Sequence, residues 1–178
     1  MSDTTARLPL WWVAANTCAW ALAAGTVLRS TGRFWDPVAF GAAGAIVGIA
    51  QWAVLRRFGV SPAWIACVWL SWAVLDVSVR FYSSPYWPAA IGAALGAVVQ
   101  SRIVWRRMPP AALWVAAATA GSVLGWMAGL RVGTSVYSGS ATEFWAYAAG
   151  GATGGAIASL ISAPVLVAMV RHSKSLVK

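Results

Sequence analysis

Charged side chains in this sequence do not scatter; they mark the joints between long apolar stretches. Arg29, Arg80 and Arg131 recur at an interval of about 51 residues, each closing an apolar run that opens at an aromatic edge. A period of that length holds two helices and their turns, so the spacing predicts one two-segment unit written three times. Odd segments begin at Trp11-Trp12, Trp64 and Trp114 and end at the three arginines. Even segments open at Phe34-Trp35, Tyr86-Trp87 and Phe144-Trp145, and continue through Gly44/Gly48, Gly92/Gly96 and Gly151/Gly155 to Gln51, Gln100 or Ser159.

Lipid is the solvent this pattern fits. Sixty per cent of the 178 residues are hydrophobic and 10% are charged, with a mean hydropathy of +0.71. That leaves too few polar side chains to cover a water-soluble domain. The expected fold is an all-α integral membrane protein with six transmembrane helices at 9–29, 37–55, 62–81, 87–106, 110–131 and 144–170. Each is near the roughly 20 residues that cross a hydrocarbon core. The units 9–57, 62–107 and 110–171 then form three tandem parallel helical hairpins in one membrane domain, 1–178, with a pseudo-three-fold axis along the membrane normal. The apolar stretch after Arg7 is too long for a signal core and is expected to remain as the first helix. Pro9, Pro37, Pro62, Pro88 and Pro110 suit first helical turns, and Asp36, Ser61 and the Ser140–Glu143 pair are capping candidates. Pro164, inside the last segment, predicts a kink.

The side holding Arg7, Arg56, Arg57, Arg102, Arg106, Arg107, Arg171, Lys174 and Lys178 carries nine basic residues. The opposite side carries only Arg29, Arg33, Arg80 and Arg131, so the positive-inside rule puts both termini in the cytoplasm. From Trp12 to Arg29 is about 26 Å of helix, which makes tryptophan and arginine markers of opposite interfaces and predicts tryptophan belts. The net charge of +9 is explained by orientation, with no continuous basic face for nucleic acid.

The run Gly44-x-x-x-Gly48-x-x-Gln51-Trp52-x-Val54-Leu55-Arg56-Arg57, followed by Trp64, resembles uncharacterised bacterial multi-pass membrane proteins in which Gly-rich helices ending in Gln-Trp-x-x-Leu-Arg alternate with Trp-led helices. The second copy departs at Gln100-Ser101-Arg102, and the third has Ser159 in place of glutamine. The resemblance implies a bacterial inner membrane and the repeat, and brings no activity with it.

The candidate polar and ion-pair site comprises Asp76, Arg80, Arg29, Arg131, Gln51 and Gln100. Asp76 lies four residues before Arg80 on one helix face, so the two suit an interfacial ion pair. An ionisable group within a span is also a candidate for a proton- or cation-linked role or a partner contact. The three arginines either converge on an outer anion site or snorkel to the interface. Gln51 and Gln100, with Asn16 and several Ser and Thr residues, either bond helix to helix or line a polar path at the repeat axis. Glycine ladders, including Gly121/Gly125/Gly129, serve close helix packing, or homo-oligomer and partner docking.

No catalytic constellation is visible: there is no nucleophile–His–acid set, no metal-ligand cluster and no P-loop. His172 is the only histidine, which disfavours a His-ligated core cofactor, and Cys18 and Cys67 form no paired motif. The residues therefore predict neither enzyme nor cofactor. They favour a non-catalytic accessory or scaffold subunit that acts within a bilayer, in a larger membrane complex or a homo-oligomer. The alternative is a small transporter or channel with a polar path near Gln51, Gln100 and Asp76.

Overall fold

The computed structural model describes residues 3–28, 37–81, 86–103, 111–138 and 143–175, with side chains omitted at several segment ends, 76–81 among them. Among the described residues there is no strand, and the fold is all-α. Helix α1 covers Leu8–Leu22 and runs on as a π-helical segment, Ala23–Leu28. It is followed by α2 (Pro37–Leu55), α3 (Ala63–Phe81), α4 (Tyr86–Ile103), α5 (Ala111–Ser138) and α6 (Glu143–Ser175). A single helical turn, Asp3–Ala6, precedes α1, and a 3-10 turn, Arg56–Phe58, follows α2.

Local chemistry accounts for several boundaries. Pro9 sits in the first turn of α1, where its missing N–H costs nothing, and Pro37 opens α2. Gly59, at φ 78°, takes the left-handed conformation that ends the 3-10 turn, and its N–H donates to the Arg56 carbonyl at 3.1 Å. Two residues later the Ser61 hydroxyl accepts the Ala63 N–H at 3.2 Å, the capping role expected of it. Asp36 and Ser140 lie outside the described residues.

Two boundaries differ from expectation. The first segment leaves α geometry at Ala23, where Thr26 Oγ1 donates to the Leu22 carbonyl at 2.5 Å and Gly25 is pressed against Phe144 and Ala148. A hydroxyl inserted into the backbone ladder, beside a tight contact, is a recognised origin of a widened turn. Helix α5 continues beyond Arg131 to Ser138, and in this last stretch Thr134 and Ser135 donate back to the Leu130 and Arg131 carbonyls at 2.9 Å. The arginine ends the apolar run but not the helix. Helix α6 is continuous through Pro164, whose side chain is exposed.

Each long helix packs against the next in chain order, and α6 returns to pack on α1. Glycine allows the closest of these approaches. A Cβ on Gly129 would stand 2.6 Å from the Gly150 carbonyl oxygen, and one on Gly155 would stand 2.7 Å from that of Asn16. Both are well inside van der Waals contact, so the α5–α6 and α1–α6 seams bring backbone against backbone.

Large apolar side chains lie on the outside as well as in the core, and several polar ones are buried. Leu10 is 73% exposed, Trp145 62% and Leu160 60%, while Asn16, Gln100, Ser159 and Ser162 are buried. Two helices, over Ala111–Tyr137 and Glu143–Arg171, are long and apolar enough to cross a membrane among the described residues.

Candidate functional site

Three tryptophans meet at the centre of the helix assembly. Trp12, Trp64 and Trp114, from α1, α3 and α5, are 2%, 0% and 2% exposed. Their ring centroids lie 6.3, 6.3 and 5.7 Å apart with interplanar angles of 78°, 61° and 55°. Tilted, edge-on geometry of this kind sets the positive rim of one indole against the negative face of the next. The expectation that these residues belong to an interfacial belt is therefore corrected. They form an internal layer, while Trp11, Trp69 and Trp145 are exposed.

A buried indole N–H needs an acceptor, and each of the three finds one on an even-numbered helix. Trp64 Nε1 donates to Gln51 Oε1 at 2.9 Å, Trp114 Nε1 to Gln100 Oε1 at 3.0 Å, and Trp12 Nε1 to Ser162 Oγ at 3.0 Å. The first two bonds join residues 13 and 14 apart; the third joins residues 150 apart, across the α1–α6 seam. Because indole only donates, it fixes the sense of each amide: oxygen toward the tryptophan, nitrogen away. Gln51 Nε2 accordingly donates to Asn16 Oδ1 at 2.7 Å, and Asn16 Nδ2 to the Trp12 carbonyl at 2.8 Å.

Beside this layer lies a chamber of about 90 Å3 to which all six long helices contribute. Gln51 and Gln100 line it together with Asn16, Ser71, Ser122 and Ser159, and among the described residues none of its lining side chains is ionisable. Its far side is bounded by Trp20 and Trp72, whose rings meet at 5.1 Å and 64°. These stand eight residues beyond Trp12 and Trp64, about 12 Å along their helices. The same two tryptophans also line a larger, mainly apolar vestibule of about 380 Å3, walled by glycines of α5 and α6 and reaching Tyr137, Glu143 and Tyr147. Along the axis the order is thus tryptophan layer, polar chamber, tryptophan pair, apolar vestibule.

Of the six residues expected to form the site, the structure brings Gln51 and Gln100 together. Arg131 is exposed on α5 and lines neither space. Arg29 lies outside the described residues, as do the side chains of Asp76 and Arg80. Among the described residues no group of three or more His, Cys, Asp or Glu side chains is placed to hold a metal ion. Sequence reasoning missed the central role of the tryptophans and chose Ser159 as the third counterpart of the glutamines. The acceptor is Ser162, while Ser159 Oγ donates to the Gly155 carbonyl at 2.5 Å. The regular spacing of Trp12, Trp64 and Trp114, with Gln51 and Gln100 in the even segments before the second and third, was the signal available.

No family model matches the chain, and no curated protein or solved structure matches it.

Proposed function

We propose that this chain is a six-span integral membrane protein whose three tandem hairpins surround a solute path, acting as a compact transporter or channel without catalysis. The observation that carries the reading is the polar chamber, lined by Gln51 and Gln100, between two layers of tryptophan. Polar groups gathered inside an apolar exterior belong to a path or a packing network. The lined space beside the indole–amide bonds favours the path.

Six spans are supported by helix length. The 19 residues of α2 and of α3 and the 18 of α4 each extend about 27–29 Å, near the thickness of a hydrocarbon core. Three-fold organisation is supported by the three indole-to-acceptor bonds and by α6 packing on α1. With both termini in the cytoplasm, as the basic residues favour, the Trp12 layer faces inward and the vestibule outward. The resemblance noted above favours a bacterial inner membrane.

Flux through the purified protein in liposomes tests the reading. A panel of uncharged solutes and ions should include at least one that equilibrates faster than in protein-free vesicles, with the rate altered by Gln51→Leu. If no solute does so, the accessory or scaffold reading takes its place, and co-purification of a larger membrane partner in mild detergent is then the result to seek.

A further inference from the structure

Gln51 and Gln100 receive the same donor, an indole N–H, but their amide nitrogens end differently. Gln51 Nε2 is bonded to Asn16. Gln100 Nε2 has no hydrogen-bond partner among the described residues, although Gln100 is only 7% exposed and lines the chamber. Turning the amide over does not help, since Trp114 would then face a second donor.

The cause is a break in the sequence pattern. Asn16 stands four residues after Trp12; four residues after Trp64 stands Val68, and four after Trp114 stands Ala118. Both line the chamber, and neither side chain can accept a hydrogen bond. Gln100 has therefore lost the acceptor that Gln51 keeps, and empty volume borders its amide.

We infer that the chamber is a binding site for a small uncharged amide, of the size of acetamide or urea, whose carbonyl oxygen accepts from Gln100 Nε2. This rests on the solute-path reading. Size follows from the volume of about 90 Å3, room for a few waters or one small solute. Charge follows from the lining, which among the described residues offers an ion no counter-charge. The donor–acceptor pattern selects the amide. Ser71 and Ser159 spend their hydroxyl protons on the Cys67 and Gly155 carbonyls, at 2.9 and 2.5 Å, so each keeps oxygen lone pairs for a ligand N–H. One acceptor-seeking group and two donor-seeking oxygens match one carbonyl and an NH2.

The test uses the full chain in nanodiscs and liposomes, with acetamide as probe and acetate and methylammonium as charged controls. Acetamide should shift the Trp114 Nε1–H resonance saturably in nanodiscs and enter liposomes with saturable kinetics, and the controls should do neither. Val68→Asn, or the isosteric Val68→Thr if the larger change impairs folding, supplies the missing acceptor beside Gln100. It should weaken acetamide binding at least tenfold without lowering the thermal midpoint. Binding without flux upholds the site and removes the transport reading. Flux of ions or other solutes with no acetamide response overturns the site and leaves transport standing. A Trp114 resonance that is indifferent to acetamide, as expected of a chamber holding water alone, overturns the inference. So does a Val68 variant that folds and binds acetamide as the parent does.

Discussion

Replacing Trp64 by phenylalanine isolates what the central network contributes. Phenylalanine keeps an aromatic ring beside Trp12 and Trp114, so most edge-to-face contact survives. It removes the N–H that donates to Gln51 Oε1 at 2.9 Å, at a residue that is 0% exposed. The orphaned carbonyl oxygen costs about 1–3 kcal/mol, reduced where chamber water reaches it. Loss of about 40 Å3 of side-chain volume at about 24 cal/mol per Å3 adds about 1 kcal/mol. Together the expected destabilisation is about 2–4 kcal/mol. Equilibrium unfolding in mixed micelles, followed by helical circular dichroism, reads it as a lowered midpoint at unchanged slope. In the double variant Trp64→Phe/Gln51→Leu the stranded Gln51 acceptor is gone while Asn16 Oδ1 loses its donor, so the two single losses should fall short of additive by about 1 kcal/mol. A Trp64→Phe protein within about 0.5 kcal/mol of the parent, with additive double-variant energies, would refute the claim that the indole–amide bond holds the centre.

Other substitutions probe separate seams by the same unfolding assay. Ser162→Ala strands the Trp12 N–H, bonded at 3.0 Å, and should cost about 1–2 kcal/mol, whereas Ser162→Thr retains the acceptor and should cost less. Gly129→Val drives carbon toward the Gly150 carbonyl, where even a Cβ would stand at 2.6 Å; a loss of about 1–3 kcal/mol is expected, against a near-neutral Ala120→Val on the exposed side of α5. Cys67 is 2% exposed and Cys18 is exposed. In detergent, where water can reach the outer helix faces, N-ethylmaleimide should label Cys18 before Cys67, and Cys67 only after denaturation. Mass spectrometry of the labelled peptides separates the two, and equal labelling would contradict the packing described.

The helices were legible in the sequence because apolar runs bounded by charge, proline and glycine leave little choice of element; α2 begins and ends where expected, at Pro37 and Leu55. The ends of α1 and α5 were not, because a hydropathy pattern follows the apolar run, whereas α1 widens at Ala23 inside its run and α5 carries on past Arg131 through the polar Thr134 and Ser135. The chamber was half legible. Gln51 and Gln100 stood out as amides among apolar neighbours, and the structure gathers them. Tryptophan at the edge of an apolar run ordinarily marks an interface, where its N–H meets water or headgroups. Trp12, Trp64 and Trp114 depart from that habit because glutamine and serine supply the acceptor inside. Ser159 and Ser162 are three residues apart and share a helix face, so choosing between them required knowing how α6 is rotated against α1.

The bond from Trp12 to Ser162 also has a bearing on time. The ribosome finishes Trp12 long before it reaches α6, 150 residues downstream. Gln51 and Gln100 each meet their tryptophan within the next helix made, but the first tryptophan must wait for nearly the whole chain. Until α6 arrives, α1 presents an unsatisfied indole and an uncovered seam, open to a chaperone, to lipid or to a neighbouring copy of the same protein. The last helix acts as a latch, and a nascent chain halted before α6 should persist as an open, protease-sensitive arc.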